Sequence, residues 1–398
     1  MSLEQVPASE RIHIGFFGAR NAGKSSLVNA LTGQEVSIVS DVAGTTTDAV
    51  SKSMELLPLG AVMITDTAGY DDDDEQLGAQ RIEKTKRELY RTDLAVLVTD
   101  AAKPFSETEQ ALISLFQAQK TPFLIALNKC DTLTARPENL PENAVLTSAK
   151  TGEGIQQLKE MLGALAQNGA PERFIVRDLI AAGDTVILVT PIDESAPKGR
   201  LILPQQQTLR EVLDAHANAL LVQPEELPGL LNNLKTPPRM VITDSQAFAQ
   251  VAKMVPESVP LTSFSILLAR YKGFLNTAVS GAEALKTLGN GAKILIAEGC
   301  THHRQCNDIG TVKLPKAISR LTGKQFDLSY CSGGTFPEDL SGYQLVIHCG
   351  GCMRTERELL WRMRTALAQG VPFTNYGVTL AACTGILPRT LMNGLLLK

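Results

Sequence analysis

The amino-acid sequence predicts an α/β protein of three domains: a P-loop parallel sheet followed by two further α/β domains. Three observations carry this expectation. Short β-branched runs alternate with helical patterns along most of the chain, the rhythm of parallel strands covered by helices. A Gly-rich turn joins the first strand to the first helix. Finally, 398 residues with 44% hydrophobic content suffice for several cores at about 100–200 residues per domain.

The first domain is expected over residues 11–165. It opens with the strand IHIGFF, runs into the turn Gly18-Ala-Arg-Asn-Ala-Gly-Lys-Ser25, and continues through the strands AVMIT, LAVLVTD and FLIALN. The stretch Ala166 to Arg173 combines Gly, Pro and polar residues and reads as a linker. The second domain, 174–264, repeats strand and helix at short intervals: TVILVTPI, the helical pattern QQTLREVLDAHANA, then ALLVQ, PGLLNNL, RMVITD and AFAQVAKMV. Nothing in it looks chemical, and His216, inside the helical pattern, reads as a structural or solvated histidine. The third domain, 265–398, begins in a helical segment from Ser265 to Leu288. Its strand KILIAEG ends at Cys300, and its strand YQLVI ends at His348-Cys349. Ligands gather outside the carboxyl ends of strands in open α/β sheets, so these two ends are expected to converge.

Composition narrows the function classes. A net charge of −4 gives no basic surface of the kind that attracts nucleic acid. The opening MSLEQVPASE is polar and acidic, unlike a signal peptide, and no apolar run reaches the ~20 residues that span a bilayer. A cytoplasmic protein without a membrane partner is expected. There the seven cysteines read as metal ligands or reactive groups rather than as a disulfide framework.

The turn Gly18–Ser25 satisfies G-x-x-x-x-G-K-S in its strand-to-helix context. Gly18 and Gly23 let backbone N–H groups wrap phosphates, the helix N-terminus at Ser25 and Ser26 favours their charge, Lys24 neutralises β- and γ-oxygens, and the Ser25 hydroxyl suits Mg²⁺. Gly44-Thr45-Thr46-Thr47-Asp48 and Asp66-Thr67-Ala68-Gly69 are switch candidates, with Asp66 placed to hold the Mg²⁺ water shell. Asn128-Lys129-Cys130-Asp131 closes a strand. The Asp131 carboxylate can accept from the N1–H and exocyclic amine of guanine, which selects GTP over ATP, and Thr147-Ser148-Ala149-Lys150 reads as the base-supporting loop. Taken singly, Asn-Lys-Cys-Asp is a turn and Asp66 a helix cap; order and strand context together favour the nucleotide reading. The acidic run Asp71 to Glu75 reads as a solvated loop, with a docking surface for a basic partner as the alternative.

This series, over residues 11 to about 165, resembles the TrmE-Era-EngA branch of the TRAFAC GTPases. The resemblance implies GTP hydrolysis, with Lys24, Thr46, Asp66 and Gly69 as the catalytic group and Thr46 joining Ser25 at Mg²⁺. Tyr70 stands where Ras-like proteins carry a catalytic Gln. Asn21 matches the P-loop asparagine of the potassium-stimulated members, so K⁺ is expected to supply charge that an arginine finger gives elsewhere.

Three thiolates with neighbouring imidazoles are ligands for zinc or for an iron–sulfur cluster. Cys300-Thr-His302 and His348-Cys349-Gly-Gly-Cys352 hold three of the seven cysteines. A zinc tetrahedron would take Cys300, Cys349, Cys352 and one histidine; a [4Fe–4S] cluster would take the same thiolates and leave one iron for a weaker ligand. Residue spacing leaves both open. Joined to an N-terminal GTPase, the pattern Cys300-x-His302…His348-Cys349-x-x-Cys352 resembles the HydF family, the maturation GTPases of [FeFe]-hydrogenases. That resemblance implies a [4Fe–4S] cluster on Cys300, Cys349 and Cys352, with His302 or His348 as fourth ligand or as hydrogen-bonding support. It also implies a homodimer formed through the middle domain. The function would be that of a scaffold or carrier taking a diiron precursor made with the radical-SAM maturases HydE and HydG to apo-hydrogenase HydA. The competing reading is an RNA-modifying or ribosome-assembly GTPase with a structural zinc site.

Other residues of the third domain are secondary. His303 lies outside the motif, and Cys306, Cys331 and Cys383 read as buried small hydrophobes. Arg354, Arg357, Trp361 and Arg364 recur on one side of a helix. They form either a solvated face balanced by Glu356 and Glu358, or, at Arg354 and Arg357, a hold on an anionic precursor.

Overall fold

The computed structural model describes residues 6–33, 50–67, 85–137, 139–167, 173–192, 201–299 and 308–397. It divides into two compact units, Met1–Pro171 and Glu172–Lys398.

The first unit carries six strands: β1 (Ile12–Phe17), β2 (Val50–Leu56), β3 (Gly60–Asp66), β4 (Leu94–Asp100), β5 (Phe123–Asn128) and β6 (Ala144–Leu146), in the order β2-β3-β1-β4-β5-β6. All neighbours run parallel except β2, which pairs antiparallel with β3. Leu94 to Val98 are all buried, the near-continuous apolar run of a strand covered on both faces. The helix Lys24–Thr32 buries Leu27, Val28 and Leu31 on one side of this sheet, with Leu158 and Leu162 of Ile155–Gln167 in the same core. Phe17 and Phe116 of Glu107–Ala118 pack on the other side, ring centroids 5.3 Å apart. That last helix starts at a capping box: the Glu109 N–H donates to Ser106 Oγ at 3.2 Å and the Ser106 N–H to Glu109 Oε2 at 2.8 Å.

The second unit holds two four-stranded parallel sheets. One is ordered β10-β9-β7-β8, from β7 (Thr185–Val189), β8 (Asn218–Val222), β9 (Met240–Thr243) and β10 (Leu261–Ser263). The other is ordered β12-β11-β13-β14, from β11 (Lys293–Glu298), β12 (Asp327–Ser332), β13 (Leu345–His348) and β14 (Phe373–Asn375). A single apolar cluster joins them, with Val186, Leu188 and Phe248 from the first side and Leu295, Val346 and Phe373 from the second. Between them β10 runs directly into the helix Phe264–Tyr271, whose Ser263 side chain accepts from the Ile266 N–H at 3.2 Å.

Two local expectations are corrected, and two strands had not been expected. The pattern QQTLREVLDAHANA does not continue as helix: the helix is Leu203–Asp214, His216 sits in the left-handed region (φ 55°), and β8 begins at Asn218. The Ser265 to Leu288 segment is two helices, Phe264–Tyr271 and Leu275–Glu283, separated by a turn at Gly273. The strands β12 and β14 escape the sequence pattern, β12 because DLSYCS is polar and β14 because it is three residues long. Among the described residues no helix is long and apolar enough to cross a membrane.

Candidate functional site

At the nucleotide motif the backbone demands glycine. Gly18 has φ 146° and a Cβ there would lie 2.1 Å from Val98 O; Gly23 has φ 90° and a Cβ there would lie 2.4 Å from Asn128 Nδ2. Lys24 is buried and its ammonium donates to Gly18 O and Ala19 O, both at 3.0 Å, folding the loop around its own charge. Ser25 and Ser26, on the first turn of Lys24–Thr32, are exposed, as is Asn21 (φ 63°). Ser25 Oγ donates to Asp66 Oδ2 at 2.5 Å, while Asp66 Oδ1 is buried with no partner among the described residues. Burial pushes the Asp66 carboxyl up, against the lowering effect of Ser25 and Lys24. A hard cation with its water shell fits this pair of oxygens.

The base-side residues form a second knot. Asn128 is nearly fully buried; its Nδ2 donates to Ala22 O at 3.0 Å and its Oδ1 accepts from the Ala149 N–H at 3.1 Å, so one amide ties the phosphate loop to the base loop. Ser148 Oγ donates to Asp131 Oδ1 at 2.7 Å, fixing the carboxylate expected to read guanine. Lys129 (φ 62°) pairs with Asp100 Oδ2 at 3.0 Å, a partner the motif does not announce. Lys150 is exposed beside them. Thr45, Thr46, Gly69, Tyr70 and the acidic run lie outside the described residues.

In the third sheet, β11 and β13 are neighbours in parallel register, with Ala297 opposite His348. Their carboxyl ends therefore lie side by side, one leading to Cys300 and the other to Cys349. Cys300, His302, His303 and Cys306 lie outside the described residues. Cys349 Sγ accepts from the Gly299 N–H at 3.0 Å and from the Gly351 N–H at 3.4 Å. Such donors stabilise sulfur carrying negative charge. A Cβ on Gly299 would lie 3.0 Å from Arg354 Cγ and 3.5 Å from Cys349 Sγ, so the bare glycine keeps this cradle open to the sulfur. Burial pushes the Cys349 thiol up, opposed by the Gly299 N–H, and pushes the Cys352 thiol up, opposed by Lys272. This donor set fits a thiolate-ligated metal group: charge on sulfur is costly here until a cation compensates it.

His348 is fully buried, and both of its ring nitrogens are engaged. Arg362 Nη1 donates to Nε2 at 3.1 Å; a guanidinium only donates, so Nε2 accepts and Nδ1 carries the proton toward Cys349 O at 2.8 Å. Burial and the Arg362 charge pull His348 down to about 3, keeping the ring neutral. In this arrangement His348 holds the cysteine loop by its backbone. Arg362, which the sequence reading passed over, is itself fully buried; it donates to Glu358 Oε1 and Gly333 O, both at 2.7 Å, and lies over the Phe336 ring at 5.3 Å. Glu358 also pairs with Arg354 at 3.3 Å, and Arg354 Nε donates to Gly299 O. The expected solvated face on Glu356–Ala368 is thus partly corrected: Glu358 is buried between two arginines, Trp361 packs edge-on against Phe336 at 5.8 Å, and only Arg364 of the singled-out set is fully exposed. Cys331, half-buried on β12 opposite Ala297, is pushed up to about 11 by burial, and so is Cys383. Lys272 is the other residue the sequence did not flag: it is buried, and its ammonium donates to Gly351 O at 2.6 Å and Arg354 O at 2.7 Å.

The chain resembles known proteins in three segments. Residues 13–129 match the family described as 50S ribosome-binding GTPase. The chain is 35% identical across 173 residues to a tRNA modification GTPase MnmE of Bordetella petrii, covering 42% of this chain and 37% of that protein. It is 39% identical across 155 residues to the MnmE of Xanthomonas euvesicatoria, covering 39% and 34%, and 33% identical across 180 residues to the GTPase Der of Wolinella succinogenes, covering 42% and 38%. The chain spans little more than a third of the length of these curated relatives. Residues 175–273 match the hydrogen maturase F dimerization domain and residues 276–393 the hydrogen maturase F tetramerization domain. With a GTPase domain in front of both of these domains and a paired strand end carrying the cysteine loop, the chain belongs to the hydrogen maturase F family.

Proposed function

We propose that this chain is a GTP-hydrolysing scaffold or carrier in [FeFe]-hydrogenase maturation. It binds a [4Fe–4S] cluster through Cys300, Cys349 and Cys352, accepts a diiron precursor made with HydE and HydG, and delivers it to apo-hydrogenase HydA. The observation that carries the reading is Cys349 Sγ, held by two backbone N–H groups at the end of β13, beside the strand that leads to Cys300. The cluster supplies an iron with an exchangeable position, to which cargo can attach. The chain's own residues do the rest. Gly299 and Gly351 donate to the sulfur, and His348 braces the loop through Cys349 O. Lys24, Ser25 and Asp66 bind the triphosphate with Mg²⁺, while Asp131 reads guanine. Asn21 places K⁺ against the phosphates. Thr46 and Gly69 belong to segments that respond to the γ-phosphate, so hydrolysis changes affinity for a partner and leaves the metal chemistry untouched.

The division into 11–165, 174–264 and 265–398 belongs to the same proposal. The expectation of a homodimer widens to a larger oligomer, since the matched domains are named for dimerization and tetramerization.

The test is a pair of variants. Lys24→Ala loses GTP hydrolysis and keeps its cluster after anaerobic reconstitution; Cys349→Ser keeps hydrolysis and loses labile sulfide. Loss of both properties from either change refutes separable sites. Stoichiometric zinc with no brown chromophore in the wild type would instead favour the RNA-directed GTPase with a structural zinc.

A further inference from the structure

Three cations surround the Cys349–Cys352 loop, and they are not equivalent. Arg354 and Arg362 share the Glu358 carboxylate, at 3.3 and 2.7 Å. The nearby Glu298 accepts from the Tyr376 hydroxyl at 3.2 Å. Lys272 is 6% exposed and donates to two carbonyls; among the described residues no carboxylate lies within ion-pair distance of it. A buried ammonium bonded to carbonyls alone is costly unless an anion compensates its charge.

Its position is fixed by the fold. Lys272 follows the helix Phe264–Tyr271, its N–H donates to Leu268 O at 2.9 Å, and Ile266, Leu267, Leu268 and Ala269 anchor that helix in the shared core. Its two acceptors flank Cys352: Gly351 O lies between the two cysteines and Arg354 O just beyond the second. Burial pulls Lys272 down to about 8, and the charges that oppose this most are those of Cys352 and then Cys349.

We infer that Lys272 is the fixed countercharge of the cysteine loop, a buried ammonium that clamps Gly351 and Arg354 and offsets the negative charge of an iron–sulfur group bound there. The inference rests on the cluster reading above. A [4Fe–4S] core held by three thiolates is anionic, and adding an electron makes it more so. A fixed cation bonded to the loop that carries the sulfurs stabilises the reduced state more than the oxidised one and raises the reduction potential. As a positioning residue alone, Lys272 would fix the loop without affecting the potential.

The experiment compares reconstituted full-length wild type with Lys272→Met, Lys272→Gln and Lys272→Arg. Iron and labile sulfide per chain are measured first, then the midpoint potential by a dithionite titration followed by electron paramagnetic resonance. Lys272→Met and Lys272→Gln are expected to lower the reduced-to-oxidised ratio at fixed poise about tenfold, which is about 59 mV for a one-electron couple. Lys272→Arg stays near wild type. Lys272→Gln retains hydrogen-bond donors, so its shift isolates charge from clamping. Iron loss in both neutral variants with retention in Lys272→Arg expresses the same need for charge at the binding step and supports the inference. Equal potentials in all four proteins overturn it, and so does equal iron loss in all three variants. A wild type that takes up neither iron nor sulfide refutes the cluster reading itself, a result visible before any variant is made.

Discussion

Asn21 and Asn128 are both asparagines of the proposed nucleotide site, yet their surroundings differ. Asn128 is buried, with both ends of its amide bonded to backbone, whereas Asn21 is exposed in the left-handed region with its side chain at the phosphate loop. Removing Asn128 would loosen the loops; removing Asn21 leaves the packing intact and takes an oxygen from the position proposed for K⁺. GTP hydrolysis is therefore expected to run at least tenfold faster in K⁺ than in Na⁺ at matched ionic strength, and Asn21→Ala is expected to abolish that difference while GDP affinity holds. Equal wild-type rates in the two salts would end the potassium mechanism. The GTPase domain was legible in the sequence because each of its motifs is a short contiguous string whose order repeats a known chemical series. Lys272 and Arg362 were not. A lysine closing an amphipathic helix and an arginine in a charged helix both look solvated until distant backbone, Gly351 for one and Gly333 for the other, is seen to cover them.

The helix Glu356–Ala368 illustrates the same limit for an element. Its start is set by Thr355, which caps it by accepting from the Glu358 N–H at 3.2 Å. Its inward face was hidden from the sequence, because that face is built around an ion pair. Arg362, Glu358 and the His348 ring form a buried polar string that links the helix to the end of β13. Breaking a buried pair by removing one partner costs about 3–5 kcal/mol. Arg362→Met is expected to lower the unfolding free energy of the unit Glu172–Lys398, read from urea denaturation of the full chain, by that order, and Arg362→Met combined with Glu358→Gln is expected to recover part of it. A single-variant loss below about 1 kcal/mol would show that His348 and the cysteine loop hold their places unaided. The strand ends themselves were anticipated: KILIAEG and YQLVI became β11 and β13, adjacent and parallel. Their neighbours β12 and β14 carried no periodic signal, so the width of the sheet was hidden.

At the scale of the whole molecule, the first unit has its own cores, built from β1 to β6 and their helices, and the second unit has others. Calorimetry is accordingly expected to give two unfolding transitions, of which GDP with Mg²⁺ raises one. A ligand present at a hundred times its dissociation constant adds about 2.7 kcal/mol to the domain that binds it and nothing to a domain that does not. A single transition would show that the units melt as one body, and two that both move with GDP would show that their stabilities are coupled. Fold class was legible throughout because strand–helix alternation is a local signal; how many cores those elements share is not local, and the sequence was silent on it.

That sharing bears on how the chain can be cut. The dimerization and tetramerization segments meet between residues 273 and 276, which invites treating them as interchangeable modules. Yet Val186 and Phe248 from one side pack in the same apolar cluster as Val346 and Phe373 from the other. A graft that exchanges the cysteine-bearing half between distant homologues at this seam would pair unmatched surfaces and expose apolar side chains to water. Recombination, in the laboratory or in evolution, is therefore expected to carry both halves of residues 175–393 together.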